Sequence, residues 1–485
     1  MLGIDDYLSR DGMALAELVA NGDAQRAEII DCAQQACEAV NDTLNAIVLP
    51  MFDHARDRLG EAGTIPSGPL SGAPIVMKDE YQSVAGVPTS QSARLARGWT
   101  RDYDTALVER YHAAGIQIVG KANLPEFGAS VTTEPVATGP TNNPWDLSRN
   151  TGGSSGGSAA SVAAGIVPIA YSTDGAGSIR IPSSCCGTFG LKPTRARTPT
   201  GPDGYEYWNG LCLEHAITRS VRDSAALLDA TDAFERGAPY PAPPKTRPFL
   251  QEVGRDPGSL KIGISVVSPL GNAVDAVCRD AAEDTARLCE SLGHRVEWKE
   301  PVFDAEAMTD AMKTLLRVHL ALGIADLAEL MGRQADAEAV ESAHWQLAQQ
   351  GEQISAPAFL AALETLGQVA RKAAAFWAEC DLWLTPTLAR LPLPHGTIYA
   401  NDPDPEKYIR DYFEFVPFTP LANVTGNPAM SVPLYWSDEG LPVGTHFTAD
   451  FGAEDVLFRL AAQLENARPW AGKTPPHGVK AALAR

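Results

Sequence analysis

Three separated stretches carry side chains able to do acyl-transfer chemistry. Lys78 ends the apolar run of "APIVMKDE". Ser154 and Ser155 sit in "TGGSSGGS", and Ser178 sits in "STDGAGSIRIP", where it follows three small residues and is bracketed by Asp174 and Arg180. A serine hydroxyl attacks a carbonyl carbon only when a base takes its proton. Taken singly, each stretch has a plainer reading. A strand-terminal lysine is usually a solvated charge, and a glycine-serine run is usually a flexible spacer. As a spacer the run is out of place, because a tightly apolar helix follows it at once. As a phosphate cradle it lacks the lysine and hydroxyl of a P-loop. The near-match "GIQIVGKA" (115–122) has strand-like apolar residues between its glycines and is rejected for the same use. "GGSSG" (152–156) formally fits G-x-S-x-G, the nucleophile elbow. An elbow needs an apolar strand before it, and "NNPWDLSRNT" is polar; no motif singles out a histidine to complete a triad.

The elements around these stretches alternate between helix and strand. Residues 11–40 read as two amphipathic helices, "LNAIVLP" (44–50) as a buried strand, and "LSGAPIVMKDE" (70–80) as a short apolar strand ending in charge. "TALVERYHAAG" reads as helix and "IQIVGKAN" as strand. The small residues of "SAASVAAG" suit a helix packed closely on a sheet, followed by a strand at "VPIAYST". A proline-rich excursion spans about 237–260, residues 303–380 are mostly helical, and the stretch from "LWLTPTLARLPLP" to "GTHFTADF" alternates strands with loops before a last helix. This alternation predicts an α/β layered architecture.

Composition narrows the function. The chain has 485 residues, 45% hydrophobic and 20% charged, enough to bury a full core. A net charge of −21 disfavours nucleic acid and anionic membrane surfaces as partners. The eight cysteines show no metal spacing, and Cys185–Cys186 reads as two packed thiols. Neither a secretory signal nor an apolar run long enough to span a membrane is expected, so the setting is read as cytoplasmic.

Taken together, the three stretches resemble the amidase signature family, in its Ser-cisSer-Lys form. The similarity runs through "GGSSGGSAASVAAGIVPIAYSTDGAGSIRIPSSCCGTFGLKPT" (152–194), "LSGAPIVMKDEYQSVAGVPTS" (70–90) and "DTALVERYHAAGIQIVGKANLPEFGAS" (104–130), with further matches near both ends. Residues 131–158 are most similar to the cyclic-amide-hydrolase branch and its bacterial amidase relatives. The resemblance implies one amidase signature domain over 1–485. Its mixed central sheet would be wrapped by helices, with a core motif region at 70–195 and a helical substrate-pocket region at about 303–380. It places the nucleophile on Ser178, a relay serine on Ser154 within a cis peptide, and the base on Lys78. The oxyanion hole falls on the backbone of Gly175, Ala176, Gly177 and Ser178. Ser155, Asp174 and Arg180 are expected to support the site, and no metal or organic cofactor is required.

A lysine base must be neutral, which needs burial or a cationic neighbour. The apolar approach to Lys78 supplies the first. Strand alternation sends Asp79 to the opposite face; a Glu80 that pointed inward would favour the charged form of the lysine, and its direction stays open. The implied reaction is hydrolysis of a small-molecule carboxylic amide, with a carbamate or cyclic amide also conceivable, through an acyl-enzyme on Ser178. The loop "TGPDGYEYWNGLCLEH" (200–215), with Tyr205, Tyr207 and Trp208, is expected to line the pocket, which would favour neutral, moderately apolar amides. An amidotransferase subunit releasing ammonia from glutamine is the alternative, and it would need partner subunits. Homodimers are common among such enzymes, but no stretch here specifies one.

Overall fold

A computed structural model describes residues 2–61 and 66–484. Its strands are β1 (Ile47–Pro50), β2 (Pro74–Lys78), β3 (Gln117–Ala122), β4 (Asn142–Asn143), β5 (Asp146–Asn150), β6 (Ile169–Asp174) and β7 (Phe189–Lys192). They continue with β8 (Leu213–Thr218), β9 (Lys261–Ile264), β10 (Arg295–Trp298), β11 (Leu382–Pro386), β12 (Ala429–Trp436) and β13 (Pro442–Ala449). Among the described residues eleven of them form one sheet, in the order β1-β3-β2-β6-β8-β7-β12-β13-β11-β9-β10; β4 and β5 make a separate hairpin. The sheet is mixed. β3, β2 and β6 run parallel, as do β11, β9 and β10, while the strands between them pair antiparallel. Helices cover both faces, so β2 and β3 are buried along their whole length and read as near-continuous apolar runs.

Two helices are central to the site. Gly156–Ala164 packs on β6, β2 and β3 through glycine, alanine and serine, which lets it lie close to the sheet. Arg180–Cys186 follows the turn after β6 and packs on β7, β12 and β13. The region expected to be helical contains Ala305–Met331, Ser342–Glu352 and Ala356–Ala373, which pack on one another.

Two expectations about the elements are corrected. The first strand starts at Ile47 rather than at residue 44, because the helix Arg26–Leu44 runs on until Asn45 caps it in the left-handed conformation at φ 51°; β1 is also only partly buried. The stretch before β12 holds two helices, Pro405–Phe415 and Pro420–Thr425, where strands and loops were expected. Each starts with proline at its first position, where the missing N–H costs nothing. Tyr408, Ile409, Tyr412 and Phe413 then form an apolar stripe at helical spacing. All eight cysteines are buried free thiols, the adjacent Cys185 and Cys186 among them.

Candidate active site

The parallel strands β2 and β6 deliver Lys78 and Asp174 at their carboxyl ends, where sheets of this kind commonly place ligand sites. Lys78 is fully buried and contacts three oxygens: Ser154 Oγ at 2.7 Å, Thr173 Oγ1 at 2.6 Å and Glu80 Oε2 at 2.7 Å. Three acceptors match the three N–H donors of an ammonium. Thr173 Oγ1 in turn donates to Glu80 Oε2 at 2.8 Å, closing a sealed ring of lysine, threonine and glutamate. Asp79 does turn away. It accepts from the Ser90 N–H and hydroxyl and faces Lys121 at 3.7 Å. The direction of Glu80, left open by the sequence, is inward onto the lysine, and Thr173 is a partner that the sequence reading missed.

The glycine-serine run is a tightly packed turn. The Gly153–Ser154 peptide bond is cis. A Cβ on Gly153 would lie 2.8 Å from Ser130 O and Thr132 N, and one on Gly157 2.4 Å from Asn123 N. Glycine is needed here because backbone meets backbone. The turn presents Ser154 to Lys78, while Ser155 reaches toward Ser178: its N–H donates to Ser178 O and its hydroxyl to Thr173 O, both at 3.3 Å. The polar hairpin β4–β5 precedes it rather than a core strand, and among the described residues no histidine hydrogen-bonds Ser154 or Ser178. The geometry of a nucleophile elbow is thus missing around Ser154.

Ser178 lies in the turn between β6 and the helix Arg180–Cys186 and is 7% exposed. Asp174 organises this turn. Its Oδ1 accepts from the Gly177 N–H at 2.8 Å, its Oδ2 from the Ile179 N–H at 3.2 Å, and Arg180 clasps both oxygens through Nη2 and Nε. Burial alone would push the Asp174 carboxyl up, but the Arg180 charge and the surrounding donors outweigh it and hold the group at about 2. The Gly177 N–H, expected among the oxyanion donors, is thus committed to Asp174. The N–H groups of Gly175, Ala176 and Ser178 have no acceptor among the described residues.

The helix Pro420–Thr425, which the sequence reading missed, clamps the same turn. Thr419 Oγ1 donates to Ala176 O at 2.6 Å, and Asn423, one helical turn on, donates to Asp174 O at 2.7 Å. Arg180 donates to Thr419 O, to Asn423 Oδ1 and to His446 Nε2. Burial, reinforced by Arg180, pushes the His446 imidazole well below its usual range, so it accepts as a neutral ring.

A cleft of about 580 Å³ opens beside these groups, lined in part by Tyr81, Phe127, Tyr207, Trp208 and His319. Tyr207 stacks on Tyr81 with ring centroids 3.9 Å apart, and Trp208 stacks on His319 at 6.1 Å. Trp208 Cε3 lies 3.6 Å from where a Gly175 Cβ would be, so the cleft wall abuts the Ser178 turn. Tyr205 is 66% exposed at the rim.

The fold agrees with what comparison with known proteins shows. The amidase family model matches residues 28–458, and the chain belongs to that family; it is a hydrolase of amide C–N bonds other than peptide bonds. The 6-aminohexanoate-cyclic-dimer hydrolase of Paenarthrobacter ureafaciens is 38% identical over 481 residues, covering 96% of this chain and 97% of the relative. The solved structure of a 6-aminohexanoate cyclic dimer hydrolase complexed with substrate superposes with a TM-score of 0.91 at 36% identity, over 97% of this chain and 99% of that one. A bacterial aryl acylamidase of the amidase signature family follows at 0.86 and 26% identity, over 98% and 99%.

Proposed function

We propose that the chain hydrolyses neutral, moderately apolar amides, cyclic amides of amino acids with methylene spacers among them, through an acyl-enzyme on Ser178. The observation that carries this reading is the buried Lys78 Nζ held 2.7 Å from Ser154 Oγ, beside the turn that bears Ser178. Ser178 Oγ attacks the carbonyl carbon while its proton passes to Ser154 Oγ and the Ser154 proton passes to Lys78 Nζ. The nitrogen must offer a lone pair for this. The N–H groups of Gly175, Ala176 and Ser178 meet the oxyanion; one such donor is worth about 3 kcal/mol of barrier. The relay returns the proton to the leaving nitrogen, the amine departs, and water attacks the acyl-enzyme by the same route.

Asp174, Arg180 and Ser155 position the turn and do not exchange protons with substrate. The helices within 303–380 bound the cleft, since His319 on Ala305–Met331 faces Trp208 across it, and the aromatic walls suit methylene or aryl groups flanking the amide. Eight buried free thiols favour a reducing, cytoplasmic setting.

A fluorophosphonate probe followed by peptide mass spectrometry tests the assignment. A single adduct on Ser178, lost in Lys78→Ala and Ser178→Ala, is the expected result; Ser178→Ala should lower kcat/KM toward 6-aminohexanoate cyclic dimer by about 10⁴-fold or more. An adduct on Ser154 in the wild type would overturn the roles given to the two serines.

A further inference from the structure

Glu126, Glu341 and His344 meet in a space closed to solvent, each at most 1% exposed. One ligand atom from each lies within 4.8 Å of the other two. Glu126 Oε2 accepts from the Glu341 N–H at 2.9 Å and faces His344 Nδ1 at 3.1 Å. Glu341 Oε1 accepts from the Val136 N–H at 2.7 Å, yet its Oε2, equally buried, has no partner among the described residues. Arg94 acts on Glu341 only through space and forms no ion pair with it. An orphaned carboxylate oxygen in such a place costs several kcal/mol unless something compensates it.

The imidazole is oriented for the same purpose. Tyr408 Oη donates its one proton to Ala129 O at 2.8 Å. Its 3.3 Å contact with His344 Nε2 therefore puts a ring proton on Nε2. His344 Nδ1, 3.1 Å from Glu126 Oε2, either donates a second proton across that contact or offers its lone pair to a cation. Two ligands held about 2.2 Å from a metal at a right angle are separated by this distance. Glu341 is the N-cap of the helix Ser342–Glu352 and His344 lies in its first turn, where their side chains come together.

We propose that Glu126, Glu341 and His344 bind one divalent transition-metal cation of the Zn²⁺ or Mn²⁺ kind. Two carboxylates and one imidazole are the donor set such ions take, whereas Mg²⁺ and Ca²⁺ prefer oxygen alone. The site is structural. It fastens the helix Ser342–Glu352 to the segment Glu126–Gly128. That segment carries Phe127 into the cleft wall and Gly128 against Glu80, whose Oε1 would lie 2.0 Å from a Cβ there. A proton is the competing occupant, because burial and the nearby Glu126 charge push the Glu341 carboxyl up to about 7.

Metal analysis combined with thermal denaturation separates the two. The full chain is stripped with EDTA, incubated with Zn²⁺ or Mn²⁺ and desalted. The expected result is about one bound equivalent and a saturable rise in Tm of about 2 °C. Glu341→Gln, which can still accept from the Val136 N–H, should lose both. Where that variant fails to fold, His344→Asn is read in the same way. A wild type that retains no metal and shows no shift in Tm overturns the site in favour of the proton, as does a folded variant that binds metal as well as the wild type.

Discussion

Gly177 and Gly175 flank Ala176 in one turn but answer to different constraints. Gly177 has φ +130°, and a Cβ there would lie 2.5 Å from Thr419 Oγ1 and 2.8 Å from Ile181 Cδ1. At Gly175 the nearest atom would be 3.6 Å away, an ordinary contact. Gly177→Ala should therefore cost about 2 kcal/mol or more in urea unfolding and lower kcat/KM about 10²-fold, because the turn that orients the oxyanion donors must move. Gly175→Ala should stay within about 1 kcal/mol of the wild type. Equal behaviour of the two variants would remove the Asp174–Thr419 clamp as the reason for the turn's shape. The resemblance to the amidase signature family singled out Lys78, Ser154 and Ser178, and strand alternation sent Asp79 away from the lysine. Thr173 was not legible because it meets Lys78 from another strand far along the chain; the Gly177 N–H is committed to Asp174 three residues away, through a turn conformation that residue types alone do not specify.

The helices Pro405–Phe415 and Pro420–Thr425 show why local pattern was misread at the level of elements. Prolines in "NDPDPEK" and "FTPLANVTGNP" look like breaks, yet each of Pro405 and Pro420 opens a helix. Asp404 caps the first, accepting from the Glu406 and Lys407 N–H groups at 3.1 and 3.0 Å. Asp404→Ala should cost about 1 kcal/mol, read as a lower urea midpoint with an unchanged slope. Activity should survive, because among the described residues the Asp404 side chain hydrogen-bonds only the first turn of this helix. A loss of activity without loss of stability would show that this helix has a part in the reaction beyond packing.

At the scale of the whole molecule, buried carboxyls set a pH dependence. Glu214 on β8 is fully buried, accepts from Gln82 Nε2 at 2.9 and 3.0 Å and from the Tyr171 hydroxyl, and burial pushes it up to about 7. Its folded form therefore holds a proton that the unfolded chain releases near 4.5. The stability this contributes is complete below about 4.5 and is lost as pH rises through about 7, on the order of 3 kcal/mol in all. Asp174 acts in the opposite sense at the acid end, where stability falls as its carboxylate is protonated near 2. Glu214→Gln mimics the protonated acid. Tm measured between pH 4.5 and 8 should decline less for this variant than for the wild type, and parallel curves would contradict the assignment.

What the sequence carried by itself was an α/β layering, read from the alternation of helix with apolar strand, because that pattern needs only short-range periodicity. The amidase class, and the roles expected of Lys78, Ser154 and Ser178, came from the resemblance of three stretches to the amidase signature family. The tertiary structure decided what those side chains meet. Only folding brings Thr173 onto Lys78, sets Asn423 and Thr419 against the Ser178 turn, and places Glu341 beside Glu126. Such contacts join residues tens to hundreds of positions apart, and their geometry is fixed by packing rather than by any pattern along the chain.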